Sequence, residues 1–120
     1  MKKNRFDVSL VTGASSGIGR HLSIELSKTS SLVYLIARNK KELAVTAEMM
    51  TSPSEIVVAD LSTQAGLTKV IELINNQHID LLVNNAGFGS GGYFHERRIE
   101  KEMSLINTNV SAVVELTHSY

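Results

Sequence analysis

Four short apolar runs, each followed by a stretch with helical spacing, restrict this chain to few architectures. The runs are Phe6–Val11 (FDVSLV), Ser31–Ala37 (SLVYLIA), Glu55–Ala59 (EIVVA) and Ile79–Val83 (IDLLV). They are rich in strand formers, and the second lacks alternation, as expected of a strand covered on both faces. Between them lie segments that bring apolar residues round at helical intervals: Gly17 to about Lys28 (Ile18, Leu22, Ile24, Leu26), Asn39 to Met50, and Ser62 to about Asn76 (Leu67, Val70, Ile71, Ile74). A last helix is expected from about Glu96 to the carboxyl end, and the single proline, Pro53, falls in a connection. Strands that alternate with helices do not pair as hairpins. They pair in parallel through right-handed crossovers, with helices on both faces.

At 120 residues the chain has room for one such domain, spanning 1–120. We therefore expect an α/β fold: a doubly wound parallel sheet of Rossmann type, with four strands in the order 3-2-1-4. Twelve Lys+Arg balance twelve Asp+Glu, which leaves no basic footprint for a nucleic acid or an anionic membrane. The absence of cysteine removes disulfides, zinc-thiolate sites and thiol nucleophiles, and suits a cytoplasmic setting. His21, His78, His95 and His118 sit on different elements without ligand spacing, so no metal is expected. The start, Met-Lys-Lys-Asn-Arg, is basic, but Asp7, Ser9 and Thr12 interrupt the apolar stretch after it, and we read no secretion signal. The longest apolar run, Leu32 to Ala37, falls far short of the roughly 18 to 20 residues that cross a bilayer.

The first strand runs into Thr12-Gly13-Ala14-Ser15-Ser16-Gly17-Ile18-Gly19. Glycines at a strand–helix junction let backbone approach a ligand closely, while unpaired N–H groups and the helix dipole favour phosphate. The spacing G-x-x-x-G-x-G departs from G-x-G-x-x-G and arises by chance in roughly 4% of such chains, so its position carries the weight. A tight turn without a ligand is the plain alternative, and Ser15 or Ser16 reads equally as a helix N-cap.

TGASSGIG, with Asp60-Leu61 after the third strand, Asn84-Asn85-Ala86-Gly87 after the fourth and Asn109 in the last helix, resembles the short-chain dehydrogenase/reductase family over essentially the whole chain. The resemblance implies that Gly13, Ser15, Ser16, Gly17, Ile18 and Gly19 line the pyrophosphate and adenosine ribose of a nicotinamide dinucleotide. It implies that Asp60 receives the adenine amino group beside the Leu61 backbone, and that Asn85, Ala86 and Gly87 pass the riboses. For Asp60 the plain alternative is to cap the helix near Ser62. Arg38 follows the second strand, where the adenosine 2′ position is read. Ala37 stands where NAD-preferring relatives resemble one another in an acidic residue; alanine does not repel a 2′-phosphate, and Arg38 offers a fork of donors. We expect NADP(H), with NADPH preferred over NADH by about 10- to 150-fold if one charge-assisted hydrogen bond decides it. Asn109 resembles the asparagine of the family's catalytic tetrad, which bends its helix and holds a water through its main-chain carbonyl. The loop Phe88–Phe94 lies where substrate would approach, its glycines suggesting mobility and its aromatics an apolar wall or simple packing.

The tetrad's serine and Tyr-x-x-x-Lys would follow Asn109 at a distance these residues do not reach. Tyr120 comes too early, on the helix of Asn109 and with no lysine after it, so it is not assigned as the catalytic tyrosine, nor is Lys69 or Lys101 assigned as the active lysine. Two classes of function stand. One is an oxidoreductase passing hydride between NADP(H) and a carbonyl or alcohol substrate, inactive until a complementing chain supplies the remainder. The other is a non-catalytic NADP-binding fragment, such as an interrupted gene would yield, forming a homo-oligomer through the last helix or through Ile79–Val83, an open apolar sheet edge.

Overall fold

The structure, a computed structural model, describes residues 5–120; the basic start weighed above as a leader, Met1 to Asn4, lies outside the described residues. The elements are β1 Phe6–Thr12, α1 Gly17–Ser27, β2 Ser30–Ala37, α2 Lys40–Glu48, β3 Ser54–Val58, α3 Gln64–Asn76 and β4 Leu81–Val83. A long helical rod follows, made of α4 Ile99–Ile106, a π-helical turn at Asn107–Ser111, and α5 Ala112–Ser119. The sheet is parallel in the order β3-β2-β1-β4, the doubly wound Rossmann-type arrangement expected from the alternation.

The pleat divides the central strands between two cores. Leu10, Tyr34 and Ile36 pack with Leu67, Val70, Ile74, Ala112 and Leu116 on one face. Val11, Val33, Leu35 and Ala37 pack with Ala14 and Leu43 on the other. Both faces of β2 are thus filled, which is why its sequence shows no alternation. Ser9 and Ser30, buried polar residues on neighbouring strands, satisfy each other through hydroxyls 2.8 Å apart.

Three local expectations are revised. The buried row of α1 is Gly19, Ser23 and Ser27, while Ile18 and Leu22 face solvent. Small residues let α1 lie close to the loop, and the Ser23 and Ser27 hydroxyls donate back to the Gly19 and Ile24 carbonyls. The fourth strand, Leu81–Val83, is shorter than Ile79–Val83; just before it the Asp80 carboxylate accepts from the Asp7 and Val8 amides while the Asp80 amide donates to the Val8 carbonyl. β4 is an edge strand, as expected. The rod is not a plain α-helix, and it carries a solvent-facing apolar stripe of Ile99, Met103, Ile106, Val110 and Val114 opposite its buried Ala112 and Leu116. Among the described residues no helix is long and apolar enough to cross a membrane.

Candidate functional site

The carboxyl ends of the parallel strands open into one cleft of about 430 Å³, lined by residues from five stretches of chain. Gly13, Ser15, Ser16, Gly17 and Ile18 come from the β1–α1 loop, Arg38 from the end of β2, Asp60 and Leu61 from beyond β3, and Asn85, Ala86 and Gly87 from beyond β4. Eleven of the twelve residues singled out for a dinucleotide therefore meet at one opening. Gly19 does not line it. A side chain there would overlap the Gly13 carbonyl, so Gly19 lets helix and loop touch. The sequence reading missed Ile36, Asn39, Ala59 and Thr108 in the lining; Phe88, from the expected substrate loop, is also there.

The α1 amino terminus is built unlike those of α2 and α3. Asn39 caps α2 by accepting from the Glu42 amide at 3.1 Å, and Thr63 caps α3 by accepting from the Gly66 amide at 3.1 Å. Ser16, at the α1 cap position, makes no side-chain cap, and no acidic residue stands in the first turn. The N-cap reading of Ser16 is therefore not what the structure shows, and the first amides of α1 keep their hydrogen-bonding capacity. Gly13 has φ +67°, and a β-carbon there would sit 2.8 Å from Asn85 Nδ2.

Asp60 does not cap α3. Its Oδ1 accepts from the Ser62 amide at 3.0 Å and the Ser62 hydroxyl at 2.7 Å, forming a turn that leaves Oδ2 without a described donor. Gly66 lets α3 approach this turn, because a side chain there would overlap the Asp60 backbone. Arg38 is exposed and forms no hydrogen bond or ion pair with a described residue.

The β4 side of the cleft hangs on Thr12. Its buried hydroxyl accepts from the Asn85 amide (3.0 Å) and the Ala86 amide (2.9 Å) and donates to the Val83 carbonyl. Asn85 returns its side-chain amide to the Thr12 and Gly13 carbonyls. Asn109 does not line the cleft; its side chain accepts from the Phe88 amide at 3.0 Å and donates to the Phe88 carbonyl at 2.8 Å. Arg97 contacts the glycine-rich loop beyond Phe88. It donates to the Ser90 carbonyl, lies 5.4 Å from the Phe94 ring centroid, and pairs with Glu102 at 2.8 Å. Tyr93 and Phe94 are exposed.

The opposite, amino-terminal edge of the sheet carries a separate cluster. Asp80 is held below the ordinary carboxylate range, first by the Val8 amide and then by the Asp7 amide and His78, with burial opposing them. His78 Nε2 lies 2.6 Å from Asp80, and the ligand atoms of Asp7, His78 and Asp80 all lie within 4.8 Å of one another. Both Asp80 oxygens are already engaged by these partners. The Tyr120 hydroxyl donates to the Asp80 carbonyl there, far from the cleft. Burial, aided by nearby Glu55, raises the Tyr34 phenol above its usual value, also away from the cleft.

A parallel sheet ordered 3-2-1-4, with a glycine loop and an uncapped helix at its carboxyl edge, defines a doubly wound α/β protein of Rossmann type. The sequence model of short chain dehydrogenases matches residues 7–120, and the chain belongs to that family. It is 28% identical to an uncharacterized oxidoreductase of Staphylococcus epidermidis, over 97% of this chain and 51% of that one. Its fold is similar to the bulky-bulky ketone specific alcohol dehydrogenase of Comamonas testosteroni (TM-score 0.88, 29% identity, 94% of this chain and 47% of that one). It is equally similar to a short-chain dehydrogenase of Sphingobium yanoikuyae in complex with NADPH (TM-score 0.88, 30% identity, 94% and 46%). The chain spans about half the length of the curated relatives it matches.

Proposed function

We propose that these residues hold NADP(H) for hydride transfer to or from a carbonyl or alcohol carbon. The observation that carries this is the convergence of eleven residues, chosen from separate stretches of sequence, on one cleft. The cleft suits the nucleotide: the α1 amides are uncapped, and a β-carbon at Gly17 would meet nothing within 4 Å. The NADPH complex of the Sphingobium relative supports the same assignment, and the ketone-specific Comamonas relative supports the substrate class.

When bound, the nicotinamide supplies or accepts the hydride. In our assignment Gly13, Ser15, Ser16, Gly17 and Ile18 hold the diphosphate through backbone and hydroxyl donors, with Gly19 letting the loop close. Arg38 takes a 2′-phosphate as a charge-assisted partner, and Asp60, beside Leu61, receives the adenine amino group on its free oxygen. Asn85, Ala86 and Gly87 run along the riboses. Asn109 serves the reaction by holding the Gly87–Phe88 turn.

A second reading, nucleotide binding without turnover by these residues alone, is favoured by the place of Tyr120 and Lys69. The tyrosine hydroxyl is engaged at the far sheet edge and the lysine on the Val58 carbonyl. Association with a second or complementing chain draws support from the apolar stripe of the rod and from the β4 edge. Balanced charge and the lack of cysteine support a cytoplasmic setting.

Titration with NADPH and NADH, followed by nicotinamide fluorescence and by melting temperature, tests the proposal. NADPH should stabilise the protein and bind at least several-fold more tightly. No binding ends the proposal, and equal affinities end its NADP(H) part. Oxidation of NADPH by a panel of ketones then separates the two readings, because turnover by these residues eliminates the second.

A further inference from the structure

Arg20 follows the last glycine of the loop, yet it does not line the cleft. Its guanidinium lies in the seam between the loop and α2. Nη2 donates to the Ser15 carbonyl, to the Glu42 carbonyl at 3.2 Å and to the Glu42 carboxylate at 2.7 Å. Nε donates to Thr46 Oγ1 at 3.0 Å, and the fully buried Thr46 hydroxyl donates to the Ala14 carbonyl at 2.8 Å. Two consecutive loop carbonyls are therefore held from behind.

In a trans peptide the C=O of one residue and the N–H of the next point in opposite directions, and no described peptide is cis. Fixing the Ala14 and Ser15 carbonyls on the α2 side thus turns the Ser15 and Ser16 amides the other way, toward the cleft both residues line. We propose that Arg20 is a positioning residue that aims these two amides at a diphosphate; the inference rests on the nucleotide reading above. The mechanism is orientation rather than field, since the Glu42 carboxylate neutralises the guanidinium. Glu42 is also the residue whose amide Asn39 caps, and that cap does not involve Arg20, so the turn carrying Arg38 and Asn39 is held independently of it.

The test compares the parent protein with Arg20→Met, Arg20→Lys and Thr46→Val, using NADPH and adenosine 2′-monophosphate, which has the adenine and 2′-phosphate but no diphosphate. Binding is read by titration and by the shifts of the Ser15, Ser16 and Arg38 amide resonances. Arg20→Met should bind NADPH about tenfold more weakly, the value of one charge-assisted hydrogen bond at the low end. Its affinity for adenosine 2′-monophosphate should stay within about twofold. The NADPH-induced shifts at Ser15 and Ser16 should shrink while that at Arg38 persists, and Thr46→Val should show a smaller loss with the same selectivity. Melting curves show which variants fold; should Arg20→Met not fold, Arg20→Lys and Thr46→Val carry the comparison. Unchanged NADPH affinity, or parallel loss of both ligands, overturns the inference. A parent that binds neither ligand overturns the nucleotide reading itself, and the inference falls with it.

Discussion

Replacing Thr12 with valine asks whether a single hydroxyl joins the two halves of the cleft. Valine keeps the volume, so no cavity opens, but the Ala86 amide loses its acceptor, the Asn85 amide keeps only its 3.1 Å bond to the Val83 carbonyl, and that carbonyl loses a donor. An amide stranded in the interior costs about 1–3 kcal/mol, and the low end applies because Asn85 and Ala86 are only half-buried. The stranded Ala86 amide costs about 1 kcal/mol and the two bonds lost at the Asn85 amide and the Val83 carbonyl about 1.5 kcal/mol more, against which the added methyl returns at most about 0.8 kcal/mol. The net loss is about 1.5 kcal/mol, or roughly 0.8 M off the urea midpoint at ordinary m-values. Thr12→Ser is the matched control, because it keeps the hydroxyl and gives up one buried methyl, for about 1 kcal/mol. Urea unfolding of both variants should rank parent above serine above valine. Should valine prove as stable as serine or more so, the hydroxyl is not the joint, and the account of the cleft's β4 side is wrong.

Arg38→Ala should lower NADPH affinity by about 10- to 150-fold and leave NADH affinity nearly unchanged, erasing the preference; a titration in which both cofactors weaken equally would remove Arg38 from the 2′ position. Gly19→Ala should destabilise the protein by more than about 1 kcal/mol, because the methyl overlaps the Gly13 carbonyl, and a melting temperature equal to the parent's would contradict the close approach. For Asp80, whose pKa is lowered chiefly by the Val8 amide, the unfolded chain binds more protons than the folded one between that lowered value and the ordinary one. Its contribution is thus present above pH about 4 and is lost as pH falls through the folded value. Asp80→Asn should flatten this acid limb, and identical pH slopes below about 4 in parent and variant would show that the carboxylate plays no part.

The sheet and most of the cleft were legible because each depended on local pattern. A strand filled on both faces, such as Ser30–Ala37, writes its burial as an unbroken apolar run, and glycines between a strand and a helix mark the loop that follows. The packing face of α1 was not legible. Periodicity selects the large apolar residues Ile18 and Leu22, but the helix comes so close to the Gly13 loop that the small residues Gly19, Ser23 and Ser27 turn inward. Thr12 and Arg20 escaped for a different reason. Their partners lie on β4 and α2, and nothing near them in sequence announces those contacts until the strand order is known. The contact of Arg97 with the glycine-rich loop was hidden likewise.

Asn109 shows how such distant contacts combine. An asparagine inside a helix is a poor helix former, and here the helix widens to a π turn around it, a distortion often found at functional sites. The side chain meets both polar groups of the Phe88 backbone, and a β-carbon at Gly87 would come within 2.9 Å of its Oδ1. The segment from Asn85 to Phe88 is therefore gripped at one end by Thr12 and at the other by Asn109, while Asn85 itself reaches back to Gly13. Each of these bonds ends on main chain. The rim of the cleft on this side is consequently held by side-chain-to-backbone hydrogen bonds together with the packing of Ala86 on the core, so losing any of these three polar groups should loosen it.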